Sequence, residues 1–108
     1  VKKTSVIDTK KFNNESYIDE IEKFIGNDPI HISFDVDSLD PKYFPSTGTL
    51  VKDGLYINRV KELFDYLHEK KFKQIKNIDI TEFNPKIGSK EDVKRSIDSI
   101  MFIFDKYI

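Results

Sequence analysis

Cysteine is absent from the 108 residues of this chain. Disulfide staples and thiolate metal sites are thereby excluded, while the redox compartment stays open. Charge of one sign is not in excess: 18 Lys and Arg stand against 19 Asp and Glu, a formal net charge of -1. With no basic footprint, no nucleic-acid partner is expected. No apolar run approaches the roughly 20 residues of a membrane span, so no membrane partner is expected either. Among the few glycines there is no phosphate-cradling cluster. The chain opens on Val1 with no signal peptide following, as expected of a processed or excised piece. What is present suffices for a core. Apolar residues make up 38% and aromatics 13%, which argues against disorder. A chain of this length can bury about two-thirds of its unfolded surface.

Residues 1–14 are polar and read as a loop or lead-in. Ile18, Ile21 and Ile25 then recur at helical spacing beside Phe24. Gly26 and Pro29 end that helix. IHISFDV, residues 30–36, is nearly continuous in apolar character, which suits a parallel strand covered on both faces. From Ser38 to Leu55 there is no periodicity, only Pro41, Pro45, Gly48 and Gly54 as punctuation. An ordered loop of that length is more often functional than idle. A second helix is predicted from Ile57 to Lys71, with Ile57, Val60, Phe64 and Leu67 inward. A second strand follows over residues 75–83, then the turn NPKIG. Ser89 and Asp92 form a capping box for a last helix with Val93, Ile97, Ile100, Met101 and Phe104 inward. The order α-β-loop-α-β-α predicts an α/β fold with a parallel pair and a right-handed crossover. Such a pair leaves an open edge on each side, so it belongs to a larger α/β layer.

The chemistry concentrates where the first strand ends, in HISFDVDSLDP. In an extended strand Asp35 and Asp37 share one face while Val36 points to the other. They lie at the strand's carboxyl end, where open α/β sheets bind ligands. Two carboxylates held together need a cation, a shared proton or basic partners. An oxygen-rich site suits magnesium, calcium or manganese better than soft metals. The competing reading is a pair of loop-capping aspartates. Glu82 leaves the second strand on the same sheet edge, able to ligate the metal or receive a cationic substrate; the competing reading is a turn or helix-cap carboxylate. Asp79 lies deeper and is expected to accept backbone hydrogen bonds.

His31 shares the face of Asp35 but lies roughly 13 Å back, at about 3.3 Å per residue, too far to bind the same ion. It is expected to be structural, and His68, beside Lys70 and Lys71, a solvated or cap-region residue. Other uses of a DxD pair fit poorly. Aspartate-nucleophile phosphatases follow theirs with Thr or Val where Leu39 stands. A glycosyltransferase needs a nucleotide-binding half, and a calcium loop needs Gly and Glu at offsets that SLDPKYF lacks.

SFDVDSLDP, then FPSTGT, then Gly54-Leu55 and a helix, then DITEFNPKIG, resembles the C-terminal portion of arginases, members of the ureohydrolase superfamily. The resemblance runs from about Ile30 to the chain's end, in the family's order and spacing. STGT with EFNP is more similar to arginases than to agmatinases, which favour GTGT and Ser in place of Asn84. Ser38 departs from the commoner Gly, a small-for-small change.

The resemblance implies a three-layer α/β/α fold, with residues 1–108 the C-terminal segment of a single catalytic domain. It implies manganese-dependent hydrolysis of L-arginine to L-ornithine and urea at a binuclear Mn2+ site. Asp35 and Asp37 match the family's metal-binding aspartates of SFDVD, and Thr49 matches the TGT threonine lining the substrate pocket. Glu82 matches the glutamate that receives the guanidinium group. Asp40 is no ligand in this pattern and is expected to brace the loop. The family's GGDHS-like and DAHxD-like segments, its proton-shuttle histidine and its grip on the substrate's α-amino and α-carboxylate groups do not occur in this chain. An upstream segment of the same enzyme is therefore an implied partner, in a homotrimer and in the cytoplasm. Two alternatives remain: another ureohydrolase such as an agmatinase, or a non-catalytic assembly piece that docks on a full-length subunit.

Overall fold

The order of elements in a computed structural model is α1 (Thr9–Asn14), α2 (Ile18–Ile25), β1 (Ile30–Asp35), α3 (Ile57–Lys71), β2 (Ile75–Thr81) and α4 (Lys90–Ile103). Single 3-10 turns follow β1, α3 and α4, and the residues described are 4–48 and 53–108. β1 and β2 pair in parallel, with Phe34 opposite Ile80 and Asp35 opposite Thr81. This is the α/β arrangement expected from the sequence. Among the described residues no helix is long and apolar enough to cross a membrane.

α3 forms over the expected bounds, because its inward positions recur every three or four residues and carry Val60, Phe64 and Leu67 into the core. Phe34 of β1 meets Phe64 of α3 at 5.5 Å and Phe104, just after α4, at 6.1 Å. Phe64 and Phe104 lie 4.6 Å apart, also edge to face. Each such pair contributes about 0.5–1.5 kcal/mol beyond the burial of its area. Only that face of β1 is covered: Ile30 and Phe34 are buried, whereas His31, Ser33 and Asp35 are exposed. The strand expected to be covered on both faces is thus covered on one within this chain.

Three local readings of the sequence need correction. Residues 9–14 are not loop but helix α1, whose N-cap Asp8 accepts from the Lys11 amide at 2.8 Å. Phe12 is the single buried residue of this short helix, and one apolar residue leaves no periodicity to read. The helix is held from outside, because Nε of Arg59 donates to the Phe12 carbonyl at 2.7 Å. Along α4, Phe104 is buried and Val93 and Ile100 are half-buried, but Ile97 and Met101 are 45% and 50% exposed. Ser96 and Ser99 take the inward positions instead. Their hydroxyls meet backbone groups of the incoming loop, Ser46 N–H and the Tyr43 carbonyl, which apolar side chains would leave unpaired. Finally, β2 stops at Thr81 rather than at residue 83, because Glu82 turns to a φ of 72°.

The long loop after β1 is pinned at its ends. Leu55 N–H donates to the Ser38 carbonyl at 2.8 Å, and Asp40 N–H to the Leu55 carbonyl at 3.1 Å. Gly54 permits this approach: a Cβ there would stand 2.7 Å from both the Leu39 carbonyl carbon and the Ser38 oxygen. Gly54→Ala is expected to cost about 1–3 kcal/mol through overpacking. Urea denaturation reads this directly, and an unchanged midpoint would show that the loop yields freely.

Candidate metal centre

The two aspartates come together by a turn rather than by strand alternation. β1 ends at Asp35, and Val36–Ser38 curl into a 3-10 turn, so the expected sharing of one strand face by Asp35 and Asp37 does not occur. Asp35 accepts from the Asp37 amide at 3.2 Å through Oδ1, and Ser38 Oγ donates to the Asp35 carbonyl at 2.6 Å. The capping role weighed for these residues is therefore real, but it engages one oxygen of one carboxylate.

Crowding remains. The carboxyl of Asp37 is pushed up to about 6, chiefly by sharing a hydrogen bond with the Asp35 carboxyl, then by partial desolvation, the Asp35 charge and the Glu82 charge. A raised carboxyl beside another carboxyl marks a place where negative charge is under-compensated. The donor set is all oxygen, which fits a hard divalent cation such as manganese. It is also incomplete: among the described residues no three His, Cys, Asp or Glu side chains converge closely enough to hold an ion.

Parallel pairing brings Glu82 to this same edge, one residue beyond the Asp35–Thr81 pair. Its φ of 72° is a left-handed conformation that a glutamate seldom adopts. Backbone strain of this kind persists where surrounding contacts enforce it and clusters at functional sites. Nothing in the sequence announced it. Asp40 braces the loop as expected, accepting from the Lys42 amide at 3.1 Å. Among the described residues the Asp79 carboxylate takes up no backbone hydrogen bond, against expectation. It is exposed, and its Oδ2 accepts from the Asn77 side chain at 3.0 Å. Thr49 lies outside the described residues.

Neither histidine approaches the carboxylates. His31 stands at the amino end of β1, on the rim of a cavity of about 650 Å³ shared with Phe24, Ile25 and Asp28. His68 lies half-buried between the rings of Phe72 and Tyr107, with centroids at 5.0 and 4.9 Å. Sequence reasoning also passed over the seat of the STGT loop. Ser46 is fully buried, and Thr47 beside it buries a hydroxyl that has no hydrogen-bond partner among the described residues. The sequence offered only the Ser46-Thr47 pair set between Pro45 and Gly48, which does not reveal burial.

Comparison with known proteins agrees with this geometry. The model of the Arginase family matches residues 1–103. An arginase of Entamoeba histolytica is 34% identical over 98 residues, covering 90% of this chain and 32% of that protein. The chain thus spans about a third of that relative's length. The crystal structure of E. histolytica arginase in complex with L-ornithine superposes with a TM-score of 0.66 at 33% identity, covering 81% of this chain and 29% of the other. A formimidoylglutamase of Bacillus subtilis also gives a TM-score of 0.66, at 25% identity over 82% of this chain and 28% of its own. With the parallel pair, the carboxylates at its carboxyl edge and a family match across nearly the whole sequence, this chain belongs to the arginase family.

Proposed function

We propose that this chain supplies one side of the active site of a manganese-dependent arginase, which hydrolyses L-arginine to L-ornithine and urea. The observation that carries the reading is the meeting of Asp35, Asp37 and Glu82 at one sheet edge, where the carboxyl of Asp37 is raised by both neighbours. Asp35 and Asp37 would hold the two ions. Such a pair supplies, when bound, a water-derived nucleophile at neutral pH. In this reading Glu82 faces the substrate rather than the metal. Its carboxylate is suited to accept paired N–H groups from a planar guanidinium and hold that cation in line for attack. Thr49, matched to the TGT threonine by the resemblance, is assigned to the substrate pocket in the same reading. Arginine is favoured over agmatine by STGT and Asn84 in the sequence and by the L-ornithine complex of the E. histolytica enzyme. A homotrimer and a cytoplasmic setting belong to the same reading, and rest on the family resemblance.

The chain would act with a partner. Two aspartates cannot by themselves supply the ligands of two divalent ions, and neither histidine stands near them. The remaining ligands would come from the upstream part of the fold. The test compares the 108-residue chain alone with the chain combined with a polypeptide carrying the other two thirds of an arginase. Urea release with manganese is expected only from the combination. Hydrolysis by the isolated chain would refute the division of the site, and an inactive combination that nonetheless assembles would refute the assignment.

A further inference from the structure

The strained Glu82 raises the question of what keeps it in place. On one side it is fixed by β2. On the other, the Asn84 N–H donates to the Ser46 carbonyl at 2.9 Å. Ser46 has no freedom to move: its N–H donates to Ser96 Oγ at 3.1 Å, and its own hydroxyl donates to the Ile87 carbonyl at 2.9 Å. Ser96 Oγ in turn donates to the Asp92 carbonyl at 2.9 Å, so its hydrogen and a lone pair are both committed. Ser46 and Ser96 are completely buried. The same junction is backed by Phe44 and Phe83, whose rings meet edge to face at 5.2 Å.

From this geometry we infer that Ser96 and Ser46 form a clamp that holds Glu82 in its left-handed conformation, making both serines positioning residues for the carboxylate that receives the guanidinium. The inference rests on the assignment of Glu82 as the guanidinium acceptor. α4 is the fixed support, Ser96 its contact point, and Ser46 the bridge that ties the STGT loop and the segment after β2 to one another. A left-handed glutamate relaxes to negative φ when its neighbours release it. If the clamp opens, the carboxylate leaves the aspartate edge for part of the time. Apparent substrate affinity then falls by the fraction of molecules still competent, while turnover at saturation is retained.

Ser99 provides a matched control. It is also buried, lies on the same helix face, and donates to the same loop, but at the Tyr43 carbonyl, outside the hydrogen-bonded chain from Ser96 through Ser46 to Asn84. In nuclear magnetic resonance spectra of the 108-residue chain, Ser96→Ala is expected to shift the Glu82 backbone carbons from positive-φ to negative-φ values. Ser99→Ala should leave them in place. In the combined enzyme, Ser96→Ala should raise KM for arginine about tenfold, as for a competent fraction near one tenth. There kcat and bound manganese should stay near the parent values. Glu82 shifts that stay at positive-φ values in Ser96→Ala, or that move equally in both variants, would overturn the clamp. Should Ser96→Ala fail to fold, Ser46→Ala removes only the anchor to Ile87. It should move the same signals in the same direction by less, and no movement there counts equally against the clamp. A parent combination that releases no urea would dispose of the arginase assignment, while the resonance experiment would still judge the clamp.

Discussion

Asp35→Asn or Asp37→Asn, in the enzyme that completes the site, is expected to strip manganese and to reduce urea release to near background. Each change removes an anionic oxygen donor from a pair of hard cations, and amide oxygens replace carboxylates poorly at such ions. The two substitutions are not equivalent in the metal-free chain. Asp35 also caps the turn that presents Asp37. Asp37→Asn removes one member of the repelling pair, the one whose carboxyl is pushed up to about 6. Metal analysis by mass spectrometry, with circular dichroism to verify the fold, separates ligand loss from unfolding. Full manganese occupancy in both folded variants would remove these aspartates from the centre.

Glu82→Gln is expected to leave manganese bound and still abolish most of the hydrolysis. The substitution preserves size but replaces an acceptor of two charged N–H groups by an amide with a single oxygen. Charge-assisted hydrogen bonds are worth about 1.5–3 kcal/mol each, so losing one outright and the charge assistance of the other predicts a fall of about two to three orders of magnitude in kcat/KM. The contrast with the aspartate variants is the informative part: one class loses metal and activity together, the other loses activity alone. Activity within about tenfold of the parent would mean that the guanidinium is received elsewhere, since the loss of one such bond already exceeds that.

How far residues alone led depended on how many of them act together. The crossover helix from Ile57 to Lys71 was legible because Val60, Phe64 and Leu67 repeat one spacing and all enter one core. The Ser89–Asp92 capping box was legible because both of its bonds lie within one turn, the Asp92 amide reaching Ser89 Oγ at 3.1 Å. The face of α4 was misread because Ile97 and Met101 are apolar, whereas the deciding contacts were hydrogen bonds from a loop about 50 residues away in sequence. Periodicity carries no information about those. The carboxylates of the candidate site could be named from type and spacing, but the turn that gathers Asp35 and Asp37 and the strain at Glu82 could not. Both conformations are set by what surrounds them, and Glu82 in particular goes against its own local preference.

Parallel pairing of β1 and β2 also dictates when the acidic edge can form. Antiparallel strands can close through a tight turn, but a parallel pair must wait for its whole crossover. Here that crossover runs from Val36 to Gln74 and includes all of α3. Asp35 therefore meets the Glu82 end of β2 only when the whole α3 crossover has folded back along the sheet. Non-local contacts of this kind slow folding, because the loop's entropy is lost before the contact rewards it. The repulsion of Glu82 on Asp37 thus sets in only with that pairing, whereas Asp35 and Asp37 are neighbours along the chain throughout.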